Sequence, residues 1–407
     1  MTDRRTPTPP SSKPAPEPAP TPPAFGIADP GGFGRGVFHE RHPALVERLC
    51  ESNPYGPGQR SGLRELLAES ASDTAVVRPP EETTPGREQW LGWGREYFGR
   101  PWRDVPFLWA ESYFYLRLLE CVGYFAPGPW QGVDPFAPMK AAELADPALE
   151  ADTAWLDGLD RSAPAEAFRT LLLASLYGNR ADLGFRLVRD EGAEDGVPLL
   201  ADDSGALWRH LGGRSPGEVH VILDNAGREL LADLLLVDHL LLTRRASSVF
   251  LHVKPRPYFV SDAVTTDVRD CLVRLSSFGG EAGKAAGRLR EAAAHGRLRV
   301  GGHEFFCSPL GFGELPAGLR AQLGAARLCV FKGDLNYRRL VGDRAWPATR
   351  PFADAVAGVP GSPVALRTLK SDVVVGLRRK TAERMDVIRP GWRTDGSQAL
   401  VQARLDG

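Results

Sequence analysis

The sequence predicts an α/β protein, a doubly wound and mainly parallel sheet preceded by a helical region, and three observations carry that expectation. After Gly217 a short β-rich run, EVHVILD, is followed by a helix-periodic stretch and then by SSVFLHVK, a strand–helix–strand unit of about forty residues. Such a unit joins parallel strands by a right-handed crossover. Two more strand candidates, ARLCVFKG and SPVALRTLK, follow with helical stretches between them, and residues 42–124 carry apolar side chains at helical spacing with few β-branched residues.

In chain order, Thr6 to Pro23 alternates Pro with Ala, Thr and Ser, a composition that favours polyproline II and offers nothing to bury, so a solvated leader is expected. ALVERLCE, SGLRELLAES and FLWAESYFYLRLLECVGYF read as helices, packed by Trp90, Trp93, Trp102 and Trp109. Pro127 to Pro147 reads as loop and Ala163 to Leu176 as helix again. LLADLLLVDHLLL approaches a membrane run, but Asp233, Asp238 and His239 interrupt it, which suits a buried amphipathic helix better than lipid. TTDVRDCLVRLSSF and GEAGKAAGRLREAAAHG are the later helices. The expected organisation is a leader over 1–27, a helical subdomain over 28–165 and an α/β core over 166–407.

Composition narrows the function classes. Fifty Lys plus Arg against 51 Asp plus Glu give a net charge of -1, which argues against a nucleic-acid binder resting on bulk positive charge. The five cysteines are far apart and form no CxxC pair, so a cytoplasmic protein with buried, reduced thiols is expected. The N-terminal stretch lacks the apolar segment of a secretory signal, and neither membrane nor nucleic-acid partners are expected.

In open parallel sheets ligands bind beyond the carboxyl ends of the strands. EVHVILD ends in Asp224-Asn225, immediately before a helix whose free N–H groups can hold an anion. The next strand leads into PYFVSDAVTTD, which carries Asp262 and Asp267. The third ends with Lys332, Asp334, Asn336 and Arg338, and the fourth carries Arg367, Thr368 and Lys370. Asp, Asn and Asp are hard oxygen donors suited to Mg²⁺ or Mn²⁺, while Arg338, Arg367 and Lys370 are cationic donors for a phosphate. Any single strand end could instead be a cap or a salt bridge; repetition at four ends favours metal-assisted phosphate-ester hydrolysis. Gly213 to Gly217 matches GxSxG, yet Pro216 has no N–H to give an oxyanion hole, and the Gly279 to Lys284 stretch is one residue short of a Walker loop.

Together SLYGNRADLGF, LDNAGRELLADL, PYFVSDAVTTD, FKGDLNYRRLVGDRAW and LRTLKSDVVVGL resemble the metal-dependent damage-control phosphatase family, in its sugar-phosphate branch, also labelled acidic-residue methyltransferases. The resemblance runs from about Trp102 to Trp392. It implies a Rossmann-like three-layer α/β/α core and one divalent metal, manganese, cobalt, nickel or magnesium, on Asp224, Asn225 and Asp262. It further implies Asp224, Asp262 and Lys370 as catalytic groups. Glu229, Asn179, Asp182, Asp334, Asn336, Tyr337, Arg338, Arg367 and Lys370 would bind the substrate, a small phosphate ester such as fructose 1-phosphate or fructose 6-phosphate. Arg228 stands where relatives often have an aromatic residue and Arg393 to Asp395 where they often have hydroxyls. Glu111 is either a pocket residue or part of a solvated helix face. A methyltransferase reading lacks a glycine-rich turn after the first strand, and a non-catalytic sugar-phosphate binder is the remaining alternative.

Overall fold

The computed structural model describes residues 21–178, 199–213 and 215–406; the leader up to residue 20, Asn179 and Asp182 lie outside them. Among the described residues seven strands form one sheet: β1 (Leu199–Asp202), β2 (Gly217–Ile222), β3 (Ala246–Val253), β4 (Leu298–Gly302), β5 (Leu328–Lys332), β6 (Pro363–Thr368) and β7 (Ala399–Ala403), in the order β1-β7-β6-β5-β2-β3-β4. The four strands read from the sequence are β2, β3, β5 and β6, which with β4 run parallel; β7 is antiparallel to β6, and β1 is parallel to β7. The sequence reading missed β1, β4 and β7. Each is only four or five residues long, too short for alternation to stand out. From β2 the chain winds outward through β3 and β4, then returns to lay β5 and β6 on β2's other side, so the winding reverses between β2 and β5.

Buried side chains alternate across the sheet. Val219, Val221, Leu328, Val330, Val364 and Leu366 face one apolar core, whereas Cys329, Phe331, Ala365 and Leu400 face the other. Helices Pro164–Tyr177, Arg228–Leu242, Thr265–Ser276 and Gly280–Ala294 cover the first face; Ala317–Ala325, Gly333–Val341 and Arg379–Ile388 lie on the second. Burial on both faces explains why the strands read as near-continuous apolar runs.

The Arg228–Leu242 helix is the near-membrane run of the sequence, and its interrupting polar groups are each partnered. Asp233 meets Lys332 at 2.9 Å, Asp238 accepts two bonds from Arg288 at 2.8 and 2.7 Å, and His239 Nε2 lies 3.1 Å from the Pro164 carbonyl. Among the described residues no helix is long and apolar enough to cross a membrane.

The helices before residue 125 gather an aromatic core in which Trp90, Trp102 and Trp109 are buried and Trp93 packs at the edge. The Pro127–Pro147 stretch is not all loop: Ala137–Leu144 is helical, too short to show a periodic face. Its Lys140 anchors it, buried between Asp134 at 2.8 Å and Asp267 at 2.7 Å, with the Asp262 carbonyl at 3.3 Å. The expectation of buried thiols is also corrected in part. All five cysteines are free, but Cys50 and Cys121 are only half-buried, lying at the margin of the aromatic core.

His42 lies in this core with its ring stacked 3.7 Å from Phe114 and neither nitrogen hydrogen-bonded. Burial pushes its pKa down to about 3. An unfolded histidine titrates near 6.5, so as pH falls below that value the unfolded chain binds a proton that the folded one refuses. Stability is therefore lost between about pH 6.5 and pH 3, with about 2 kcal/mol of it gone by pH 5. His42→Phe keeps the stack and should flatten that part of the dependence, as urea unfolding at pH 8 and pH 5 would show. An unchanged pH slope would refute it. His252, pushed down to about 3 by burial and then by His220 and His303, retains its own share.

Candidate active site

The reversal of winding opens a crevice between the carboxyl ends of β2 and β5, the place where doubly wound sheets bind ligands. A cavity of 320 Å³ lies there, lined among others by Asp224, Glu229, Gly333, Asp334, Thr368 and Lys370. The loops after β2 and β3 are stitched together at its floor. Ala226 N–H donates to the Ser261 carbonyl at 2.7 Å and Ala263 N–H to the Asp224 carbonyl at 2.8 Å, so Asn225 and Asp262 form an antiparallel bridge. This pairing brings Asp262 to the adjacent Asp224 and Asn225, from which the sequence separates it by nearly forty positions.

Asp224 is buried, and its carboxyl is held well above the usual carboxylate range by burial, then by Glu229 and Asp262 beside it. Asn225 Nδ2 donates to Asp224 Oδ2 at 2.9 Å and to Glu229 Oε2 at 2.8 Å, while the Ser261 hydroxyl donates to its Oδ1. Asp262 Oδ2 is buried without a hydrogen bond and has Lys254 Nζ 3.3 Å away as its counter-charge. Glu229 in turn lies 3.5 Å from Lys332, a buried ammonium that also meets Asp233 and the Ser175 hydroxyl, at 2.9 and 2.8 Å. Burial alone would lower the Lys332 pKa; Asp233 and Glu229 outweigh it and hold the ammonium above its ordinary value.

Gly333 closes the β2–β5 side. It has φ +80°, which favours glycine, and a Cβ there would overlap the Asp224 carboxylate. The chain thus turns from β5 straight into the Gly333–Val341 helix and sets Asp334 beside the cavity.

The remaining residues singled out in the sequence divide sharply. Lys370 is exposed in the cavity wall, and its ammonium makes no ion pair or hydrogen bond with a described residue. Asp334 is held by Arg367 Nε at 2.8 Å and by the Lys370 N–H at 3.0 Å; burial raises its carboxyl, but Arg367 and Arg338 pull it below the usual range. Arg367, fully buried, also donates to the Ser371 carbonyl and hydroxyl, both at 2.9 Å. Thr368 donates to the Leu176 carbonyl at 3.1 Å. Asn336 is buried and donates to the Leu223 carbonyl at 3.1 Å and the Lys332 carbonyl at 2.8 Å, tying β2 to β5. The Tyr337 hydroxyl, equally buried, donates to Gln402 at 3.0 Å and accepts from the Val375 N–H at 3.1 Å.

Arg338 does not face the cavity. It donates two bonds to Asp343, at 3.1 and 2.9 Å, and one to Glu111 at 2.8 Å. Glu111 is therefore a buried ion-pair partner, neither a wall of the 320 Å³ cavity nor a solvated face. Arg228 points away to Asp146 and Asp152. Sequence reasoning missed Lys254 and Ser261 as partners of the floor, and Arg41 and Gly396 as lining; Thr394 and Asp395, noted in the sequence as a departure from relatives, line the cavity as well.

Among the described residues no three His, Cys, Asp or Glu side chains are grouped as a metal cage. The oxygens that fit a hard cation are the Asp224 and Asp262 carboxylates with the Asn225 amide oxygen. Two observations favour them: the Asp262 oxygen without a hydrogen bond, and the crowding of acids that raises Asp224.

A doubly wound α/β fold with acids at the floor of its crevice and an uncommitted lysine, Lys370, in the wall has the parts of a phosphate-handling enzyme. A family model described as the damage-control phosphatase ARMT1-like domain matches residues 37–385. Damage-control phosphatase ARMT1 of Danio rerio is 33% identical, over 91% of this chain and 94% of its own length. The Mus musculus protein of the same name is 31% identical over 75% of each chain, and that of Homo sapiens 30% identical over 74% of this chain and 75% of its own. A solved DUF89 family protein from Pyrococcus horikoshii aligns with a TM-score of 0.48 at 14% identity, covering 86% of this chain and 94% of its own, a likeness too distant to carry inference. The chain belongs to the ARMT1-like damage-control phosphatase family, and it is a phosphatase.

Proposed function

We propose that this phosphatase is metal-dependent and hydrolyses phosphate monoesters of small sugars, fructose 1-phosphate and fructose 6-phosphate among them, in the cytoplasm. The observation that carries the reading is the meeting of Asp224, Asn225 and Asp262 at the crevice floor, with Lys370 in the wall of the cavity above. Manganese, cobalt, nickel or magnesium are the candidate ions. A divalent ion on these oxygens would polarise a phosphoryl oxygen and make bound water more acidic.

The protein's own residues supply the rest. Lys370 offsets phosphoryl charge, and the glycine at 333 leaves room for the Asp224 carboxylate against the turn after β5. Lys332 holds Glu229, Glu229 accepts from Asn225, and Asn225 bonds Asp224, so the floor is braced before substrate arrives. Lys254, 3.3 Å from Asp262 Oδ2, gives that carboxylate a fixed counter-charge and orients it.

The test is phosphate release by metal-stripped protein across a panel of sugar phosphates, with Mn²⁺, Co²⁺, Ni²⁺ or Mg²⁺ restored singly. Release that appears only with a restored ion and is lost again on chelation is the expected result. Equal release with and without metal would overturn the metal dependence, and no release from any sugar phosphate would overturn the substrate class.

A further inference from the structure

The cavity has a second cation that no motif in the sequence marks. Arg41 closes a short helical turn, Val37–Arg41, in the N-terminal region, far in sequence from every strand end, yet it lines the same cavity as Lys370. Its guanidinium sits over the Phe33 ring, 4.8 Å from the centroid, and Phe33 is itself set edge-on against Phe107 at 5.6 Å. A flexible exposed side chain is thus given a preferred place.

The charge arrangement gives Arg41 its meaning. Lys332 is committed to Asp233 and Glu229, Arg367 to Asp334, Arg389 to Asp395 and Lys254 to Asp262. Among the described residues lining the cavity, Arg41 and Lys370 are the cations that form no ion pair with the protein. Two cations without a protein counter-ion in one cavity leave a place for one anionic group, and a phosphoryl group offers oxygens to both. We infer that Arg41 is a substrate-binding residue that shares one phosphoryl group with Lys370. This rests on the sugar-phosphate reading above and adds to it a residue from the N-terminal region.

The experiment compares wild type, Arg41→Met and Arg41→Lys by phosphate release from a hexose monophosphate and by calorimetric binding of inorganic phosphate, both with Mn²⁺ present. Arg41→Met should raise KM and weaken phosphate binding about tenfold, with kcat nearly unchanged. Arg41→Lys should recover part of the loss, since the charge returns without the planar fork. Because Arg41 is exposed, unchanged circular dichroism and melting temperature are expected for both variants. Arg41→Met with wild-type KM and phosphate affinity would overturn the assignment of Arg41 while leaving the sugar-phosphate reading standing, whereas a wild type that neither releases nor binds phosphate would remove that reading itself.

Discussion

Asp224→Ala should reduce metal-dependent phosphate release by about a thousandfold or more while leaving the protein folded. The two halves of that expectation have one cause. Asp224 is buried among acids, and burial, then Glu229 and Asp262, raise its carboxyl. That crowding is costly without a cation and is the means of holding one with it. Removing the carboxylate relieves the repulsion, so the metal-free variant should melt at or above the wild-type temperature. Saturating Mn²⁺ should raise the wild-type melting temperature by linkage and leave the variant where it was. Calorimetric melts with and without metal, beside an activity assay, check both halves. Retention of full turnover by Asp224→Ala would remove the basis of the metal site.

Arg338→Met should act in the opposite way, costing about 3–5 kcal/mol of stability before it touches catalysis. The guanidinium is buried, bonded to Asp343 and Glu111, and packed 4.5 Å over the Phe107 ring. Its loss leaves two buried carboxylates without a counter-charge. The Arg338–Glu111 bond links the Gly333–Val341 helix to the Phe107–Val122 helix, so the N-terminal aromatic core should loosen from the sheet. Adding Glu111→Gln and Asp343→Asn to Arg338→Met should recover much of the loss, because the charges that needed Arg338 are then gone. Urea unfolding of the single and triple variants measures this. A single variant with unaltered stability and a raised KM would instead make Arg338 a substrate ligand.

The contrast between Asp224 and Arg338 shows how far the amino-acid sequence reaches. Both stand at strand ends rich in polar residues, and local reasoning treats them alike. The parallel strands, their crossovers and the positions of Asp224, Asn225, Asp262 and Lys370 beyond them follow from patterns a few residues long. Alternation, helical periodicity and the polar residue that ends an apolar run are properties of neighbours in the chain. The short strands β1, β4 and β7 escaped because four or five residues hold too little pattern, and the Ala137–Leu144 helix because its eight residues are too few to show a periodic face.

Which polar residues face the cavity was a matter for the tertiary structure alone. The RTLK string contributes a fully buried Arg367, a Thr368 bonded to the Leu176 carbonyl and an open Lys370 within four residues. Arg338 turns inward because Glu111, 227 positions earlier, waits for it; Lys140 reaches the Asp262 carbonyl across 122 positions; and Arg41 joins a cavity built otherwise from residues beyond 175. A charged side chain goes where its desolvation is best compensated, and the compensating partner is set by the packing of distant segments. The sequence by itself determined the four central parallel strands, β2, β3, β5 and β6, and the residues available at their carboxyl edge. The tertiary structure decided which of those charges were spent on holding the protein together and which were left for a ligand.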